Sequence, residues 1–225
     1  ASSESLFGQD YFSHSLFGVQ FRVPKVGSFG LSIEDFSVDY SGNSLSRETA
    51  VGFHQGIMLR SDRNSTISFG YGIKSYTIDY GSSAGVSGDG SDGIELGSQS
   101  SWGVDIGLLA SLAERIRFGA RAFNINSPTL GDANGAVRLP QRAQVGIAFS
   151  PYDLVWTTAA LTKSSGHPTH FHGGMSYNIL DNVFLKAGVQ ANPNRFTTGF
   201  GVFIKKIRID YGLMTHPVLP LSHQV

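Results

Sequence analysis

Residues 65 to 81 read STISFGYGIKSYTIDYG, and the fold turns on which side of this stretch meets water. Successive side chains of a strand point to opposite faces, so Ile67, Phe69, Tyr71 and Ile73 share one face while Ser68, Gly70 and Gly72 share the other. A half-buried strand of a soluble protein carries Lys, Glu or Thr on its wet face. Here that face is nearly empty.

The same asymmetry recurs along the chain. Trp102, Val104 and Ile106 oppose Gly103, Asp105 and Gly107; Val145, Ile147 and Phe149 oppose Gly146 and its small neighbours; Phe200 and Val202 oppose Gly199 and Gly201. A soluble closed barrel would turn the large residues inward and leave a glycine-rich exterior with hardly a charge on it, a poor surface for solubility. Turned inside out, the bulky residues face lipid, the glycines face the lumen, and ring closure pairs every backbone group as hydrocarbon requires. Tyr40, Tyr80, Tyr152, Trp156 and Tyr211 fall near strand ends, where interfacial girdles sit. The competing reading of these aromatics is the core of a soluble β-sandwich.

Composition agrees with an envelope barrel. Charged residues are 15% of the 225 and apolar ones 40%, with 28 glycines; a typical soluble domain carries about 25% charged residues. Seventeen basic and 17 acidic side chains cancel, so no electrostatic case exists for nucleic acid. Without cysteine there is neither a disulfide nor a thiolate metal site. The opening ASSESLFGQD has no basic and apolar leader pattern, and no run reaches the 18 or so apolar residues of a spanning helix.

Period-two alternation predicts strands near 13–23, 28–40, 48–60, 65–80, 100–111, 115–126, 141–150, 154–162, 170–179, 183–191, 196–204 and 207–215. Connections alternate between short ones, such as SDRN and LDN, and equal or longer ones, reaching nineteen residues at 81–99. That is the pattern of barrels with short periplasmic turns and longer outer loops. An even strand count needs a strand from ASSESLFG and another begun by LSHQV, giving a single barrel domain of about fourteen strands over 1–225 whose last strand continues beyond Val225. Two strands change phase, after Glu34-Asp35 and after Lys74-Ser75, and either a β-bulge at each or irregular strand ends is the expected cause.

Candidate chemistry is thin. HPTHFH supplies His167, His170 and His172, of which the last two share a strand face and make a weak zinc candidate. Asp89, Asp92 and Glu95 lie in a glycine-rich loop that lacks the ligand order of a calcium hand. His216 and His223 flank the final turn and are expected to hydrogen-bond locally. No nucleophile and base are fixed by a motif, so no catalytic residue and no cofactor is assigned.

SLFGQDYFSHSLFGVQF, GSFGLSIEDFSVDYSG, GVDIGLLASLAERIRFGARAFNINSPTLG, LPQRAQVGIAFSP and NPNRFTTGFGVFIKKIRIDYGLMTHPVLPLSHQV together resemble the outer-membrane proteins grouped with PorV and PorQ of the type IX secretion system, relatives of the FadL-type channels. The most specific parts are SPTLG at 127–131 and the C-terminal hairpin, where Pro220 stands in place of the usual glycine of HPVLG. The resemblance implies a fourteen-stranded barrel in a Gram-negative outer membrane. These residues contain no NPAGL-like segment, which in FadL-type barrels precedes the first strand and helps form the plug; a lumen without it would be closed by inward side chains or loops.

The sequence therefore predicts a non-enzymatic barrel held in outer-membrane lipid, serving as an anchor or interaction subunit for other envelope or secreted proteins. The alternative is a FadL-like passive channel for a hydrophobic small molecule. The anchor is favoured at this stage because the small-residue face shows no apolar pocket.

Overall fold

The computed structural model describes residues 2–5, 11–40, 43–83, 85–86, 88, 92–131, 136–205, 207–217 and 220–224. Its strands are β1 (Ser2–Ser5), β2 (Phe12–Val23), β3 (Gly27–Tyr40), β4 (Asn43–Ser61), β5 (Ser65–Asp79), β6 (Ser98–Leu112), β7 (Ile116–Phe123), β8 (Thr129–Leu130), β9 (Val137–Arg138), β10 (Arg142–Tyr152), β11 (Val155–Ser164), β12 (Thr169–Leu180), β13 (Val183–Ala191), β14 (Arg195–Ile204), β15 (Ile207–Met214) and β16 (Ser222–Gln224). Fourteen of them close into one antiparallel ring in which each strand pairs with its sequence neighbours, and β1 pairs with β16 to complete it. Only β8 and β9 stand apart, as a two-residue ladder inside the connection from β7 to β10.

Ring closure explains why this chain stays ordered with so little packed interior. Among the described residues the only hydrophobic side chains in the buried class are Leu130 and Phe184, so backbone pairing around the ring, more than core packing, defines the wall.

One end carries tight turns. Lys25, Ala113, Glu114 and Lys205 all take left-handed backbone there, with φ of 69°, 50°, 57° and 55°. The other end carries the longest connections, 80–97 and 124–141, together with the three-residue connection 192–194; residues 43–47, expected to lie in a connection, belong to β4, which stays paired with β3 as far as Tyr40 and Asn43.

Strand length is uneven. The strands β3 to β6 have 14, 19, 15 and 15 residues, whereas β10 to β15 have 11, 10, 12, 9, 10 and 8. A membrane crossing needs about 9–11 residues. One wall of the barrel therefore rises beyond that span.

The two expected bulges are not where the phase changes. Pairing of β3 with β2 and β4 runs unbroken through Glu34 and Asp35, and pairing of β5 with β4 and β6 runs unbroken through Lys74 and Ser75. Actual register shifts fall elsewhere, between Val38 and Asp39 against β4, and between Met58 and Arg60 against β5. The backbone keeps its alternation; what inverts is the environment. Below the transition the outward positions are Leu31, Ile33, Val51 and Ile73, and above it they are Asp35, Ser37, Arg47, Thr49, Ser75 and Thr77. Phe36 and Tyr76 accordingly face inward: the Phe36 ring stacks on Phe12, and the Tyr76 hydroxyl donates to Asn124 Oδ1 at 3.0 Å.

Candidate functional site: the lumen

Inside the ring, glycine makes room for neighbours to lie flat. His54 lies across Gly52 and Gly72 and bonds Ser32 Oγ at 3.0 Å; a Cβ at Gly52 would come within 2.6 Å of both the imidazole and that hydroxyl. Phe184 covers Gly201 in the same way, and Asn124 covers Gly103. The nearly empty face of STISFGYGIKSYTIDYG is thus one side of an inner surface whose long side chains come from adjacent strands.

Two chambers lie against this surface. One, of about 1040 Å³, is walled by β11 to β16, with Trp156, His172, Lys186, Arg208 and Asp210 among its side chains. The other, of about 580 Å³, runs along β4 to β7, β10 and β11, past Gly56, Gly70, Gly107, Leu109, Gly119 and Gly146. They meet at Thr158, which lines both. The smaller chamber is walled largely by glycine, alanine and leucine.

The sites read from sequence distribute as follows. Gly70, Gly107 and Gly146 line the smaller chamber and Gly199 the larger; Gly72, Gly103 and Asp105 fall on the same inner side by register, as does Gly201 under Phe184. On the outer side stand Ile67, Ile73, Trp102, Ile106, Val145, Ile147, Phe149 and Phe200, each exposed, with Phe69, Tyr71, Val104 and Val202 in register with them. The Tyr71 hydroxyl donates to the Gln55 side-chain oxygen on that outer side.

Trp156 is a correction. It points into the barrel, opposite Ser176, with the Arg117 guanidinium 4.3 Å over its ring. The sequence offers no girdle signal that separates it from Trp102, since only register tells the two apart. Tyr152 is 74% exposed at the tight-turn end, and Tyr211 lies outside, its hydroxyl 2.7 Å from His223 Nδ1. The Tyr40 side chain lies outside the described residues.

Of the histidine cluster, His170 and His172 face inward with ring centroids 6.5 Å apart, while His167 sits in the connecting turn, its carbonyl accepting from Lys163 Nζ. No three His, Cys, Asp or Glu among the described residues gather to hold a metal ion. Asp89 lies outside the described residues. Asp92 accepts from the Val86 amide, and Glu95 accepts from Ser82 Oγ where the loop after β5 closes as a hairpin.

Electrostatics were hidden by the neutral total. Among described side chains on the inner face, Arg22, Lys74, Arg117, Arg121, Arg142, Lys186, Arg195 and Arg208 are basic, against Glu34, Glu48, Asp105 and Asp210. The lumen is cationic. Asp105 is committed to Lys74 at 3.0 Å and to the Asn124 amide at 3.0 Å, and Asp210 to Lys186 and Arg208. The segment after β7 is tied to the wall by Asn126, which accepts from the Val104 amide and donates to the Trp102 carbonyl, so that its side chain continues the β6 ladder.

No protein-family model matches the chain, and no curated protein matches it. Solved structures do match in shape. The Pseudomonas putida toluene transporter TodX is 11% identical, covering 100% of this chain and 84% of its own, with a TM-score of 0.56. A TodX mutant described as a monoaromatic hydrocarbon channel, deltaS2S3, gives 11% identity, 99% and 85% coverage and a TM-score of 0.62. A Pseudomonas aeruginosa FadL homologue gives 12% identity, 93% and 73% coverage and 0.58. At such identities the likeness is one of fold: the chain shares a closed antiparallel barrel with these solved channel structures.

Proposed function

We propose that this protein is a passive outer-membrane conduit for small hydrophobic molecules. The observation that carries the reading is the pair of chambers meeting at Thr158, with glycine, alanine and leucine over most of the smaller one. Ligand sites for small molecules are mostly apolar spaces of about 300–1,000 Å³ with a few placed polar groups. The sequence favoured an anchor because no apolar pocket was visible in it; the chambers remove that reason. The barrels similar in shape are named for toluene and monoaromatic hydrocarbons, which supports the same choice.

Under this reading the outward Ile, Val, Leu and Phe side chains contact lipid and the inner glycines border the path. The resemblance to PorV and PorQ supports the other reading, an envelope or secretion subunit. Both share a Gram-negative outer membrane as the location and need no catalytic residue.

The deciding measurement is uptake of labelled toluene by Gram-negative cells with and without the barrel, at external concentrations where lipopolysaccharide limits entry. Faster uptake in cells that carry the barrel supports the conduit. Unchanged uptake, together with a stoichiometric partner recovered from solubilised outer membrane, replaces it with the anchor.

A further inference from the structure

Phe123 at the end of β7 pairs directly with Arg142 at the start of β10, so a two-residue turn would join these strands. The chain uses 18 residues, 124–141, for that step. The first part of the connection folds back onto the wall: its backbone is left-handed at Asn124, Ser127 and Gly131, with φ of 53°, 51° and 92°. Asn124, Pro128 and Leu130 are all buried there. Leu130 is 1% exposed, on the strand β8 that lies against β6.

Asn124 pins the fold-back. Its amide donates to Asp105 Oδ1 at 3.0 Å, its side-chain oxygen accepts from the Tyr76 hydroxyl at 3.0 Å, and its side-chain nitrogen donates to the Pro140 carbonyl at 3.2 Å. One residue thus fastens the connection to β5, to β6 and to its own far end. Gln141 donates to the Ile125 carbonyl at 3.1 Å and the Leu139 amide to the Pro128 carbonyl at 2.8 Å.

Register places this fold-back over the smaller chamber. That chamber is lined on β6 by Leu109 and Gly107 and on β10 by Gly146 and Gln144. The next inward residues toward the long-connection end are Asp105 and Arg142, and beyond Asp105 comes Gly103, which the Asn124 side chain covers. Phe123 fills the same layer, with Lys74, Arg121 and Arg142 at 5.3, 4.4 and 4.3 Å from its ring centroid.

We propose that Asn124 and Leu130 are specificity-determining residues of the lumen, holding the connection after β7 as a cover that shuts the smaller chamber to hydrated solutes at its long-connection end. An apolar molecule that displaces Leu130 replaces the contacts it breaks, whereas a sugar or an ion sheds water without compensation. The inference rests on the conduit reading and adds to it the means by which a barrel passes hydrophobic molecules without leaking polar ones.

The chain has no cysteine, so Gly107→Cys, just beneath the cover, gives a single reporter; a Cβ there meets nothing closer than 3.5 Å. Intact Gram-negative cells are treated with a charged, membrane-impermeant methanethiosulfonate and labelling is followed by mass. Gly107→Cys in the otherwise wild-type barrel is expected to react at least tenfold more slowly than the exposed Thr77→Cys. Replacing 124–141 by Asn-Gly is expected to speed it at least tenfold and Leu130→Asp at least threefold, while Leu130→Met leaves it within about twofold. Heat-modifiable migration confirms that each barrel is folded; if the shortened one is not, Leu130→Asp and Asn124→Ala decide. Labelling of Gly107→Cys at the Thr77→Cys rate, or labelling left unchanged by these alterations in folded barrels, overturns the cover. No hydrophobic cargo enters this measurement, so toluene uptake judges the conduit separately.

Discussion

Lys74 on β5 and Asp105 on β6 face each other across the inner wall with Nζ 3.0 Å from Oδ2, their side chains only 19% and 12% exposed. Asp105 also accepts the Asn124 amide at 3.0 Å, so one carboxylate joins two wall strands to the segment leaving β7. Removing one partner of a shielded pair strands the other charge. Asp105→Asn is expected to cost about 3 kcal/mol, the low end for a buried pair broken on one side, and Lys74→Met with Asp105→Leu less than that single change. Urea unfolding in lipid vesicles, followed by tryptophan emission, checks the order of the two.

Asn126 stands in for backbone. Its oxygen accepts from Val104 N at 2.9 Å and its amide donates to Trp102 O at 2.8 Å, serving two β6 groups where the strand partner has ended. Asn126→Ala leaves both open, and at about 1 kcal/mol for each net bond the loss is about 2 kcal/mol. Amide exchange at Val104 should accelerate while that at Ile147, on a ladder far from this contact, stays at its wild-type rate.

The outer surface changes character between Ile73 and Ser75, and the residue directly opposite Ser75 is Trp102, 59% exposed. Amphipathic tryptophan favours the level where hydrocarbon gives way to water, which puts Thr77 and Ser37 above that level and Leu31 and Ile73 below it. Cysteines placed at the exposed Thr77 and Arg47 should react rapidly from outside cells with a charged maleimide, and cysteines at Leu31 and Ile73 should not. Tyr76→Cys, on the inner face, should react much more slowly than Thr77→Cys; a bulge at Lys74-Ser75 would reverse those two.

The phase change shows where reading from sequence reached its limit. Alternation of Ile67, Phe69, Tyr71 and Ile73 against glycine was enough to find the barrel and its strands, because side-chain parity is a local property of the backbone. Past Lys74 the same parity carries Ser and Thr outward and Tyr76 inward. A strand that leaves the membrane and a strand that slips by one residue write the same letters. Only the unbroken pairing with β4 and β6 separates them. Trp156 was opaque for the same reason, and the Arg121, Arg142 and Phe123 cluster more so, since β7 and β10 become neighbours only after 18 intervening residues have looped out.

Gly56 offers the cleanest probe of the path. It lines the smaller chamber, and a Cβ built on it meets no atom within 4 Å, unlike Gly72 or Gly201, where a neighbour's ring already fills the space. A large side chain at 56 therefore projects into the chamber without displacing the wall, and Gly56→Trp should change unfolding free energy by less than about 1 kcal/mol, as substitutions without a clash or lost contact do. An indole occupies roughly a quarter of a space this size and stands where β4 and β5 border it, so toluene entry should drop at least tenfold while membrane abundance and heat-modifiable migration stay at wild-type levels. Gly56→Ala, which adds one methyl to the same open position, should leave entry within about twofold. Equal entry through wild type and Gly56→Trp would place the hydrophobic route outside this chamber.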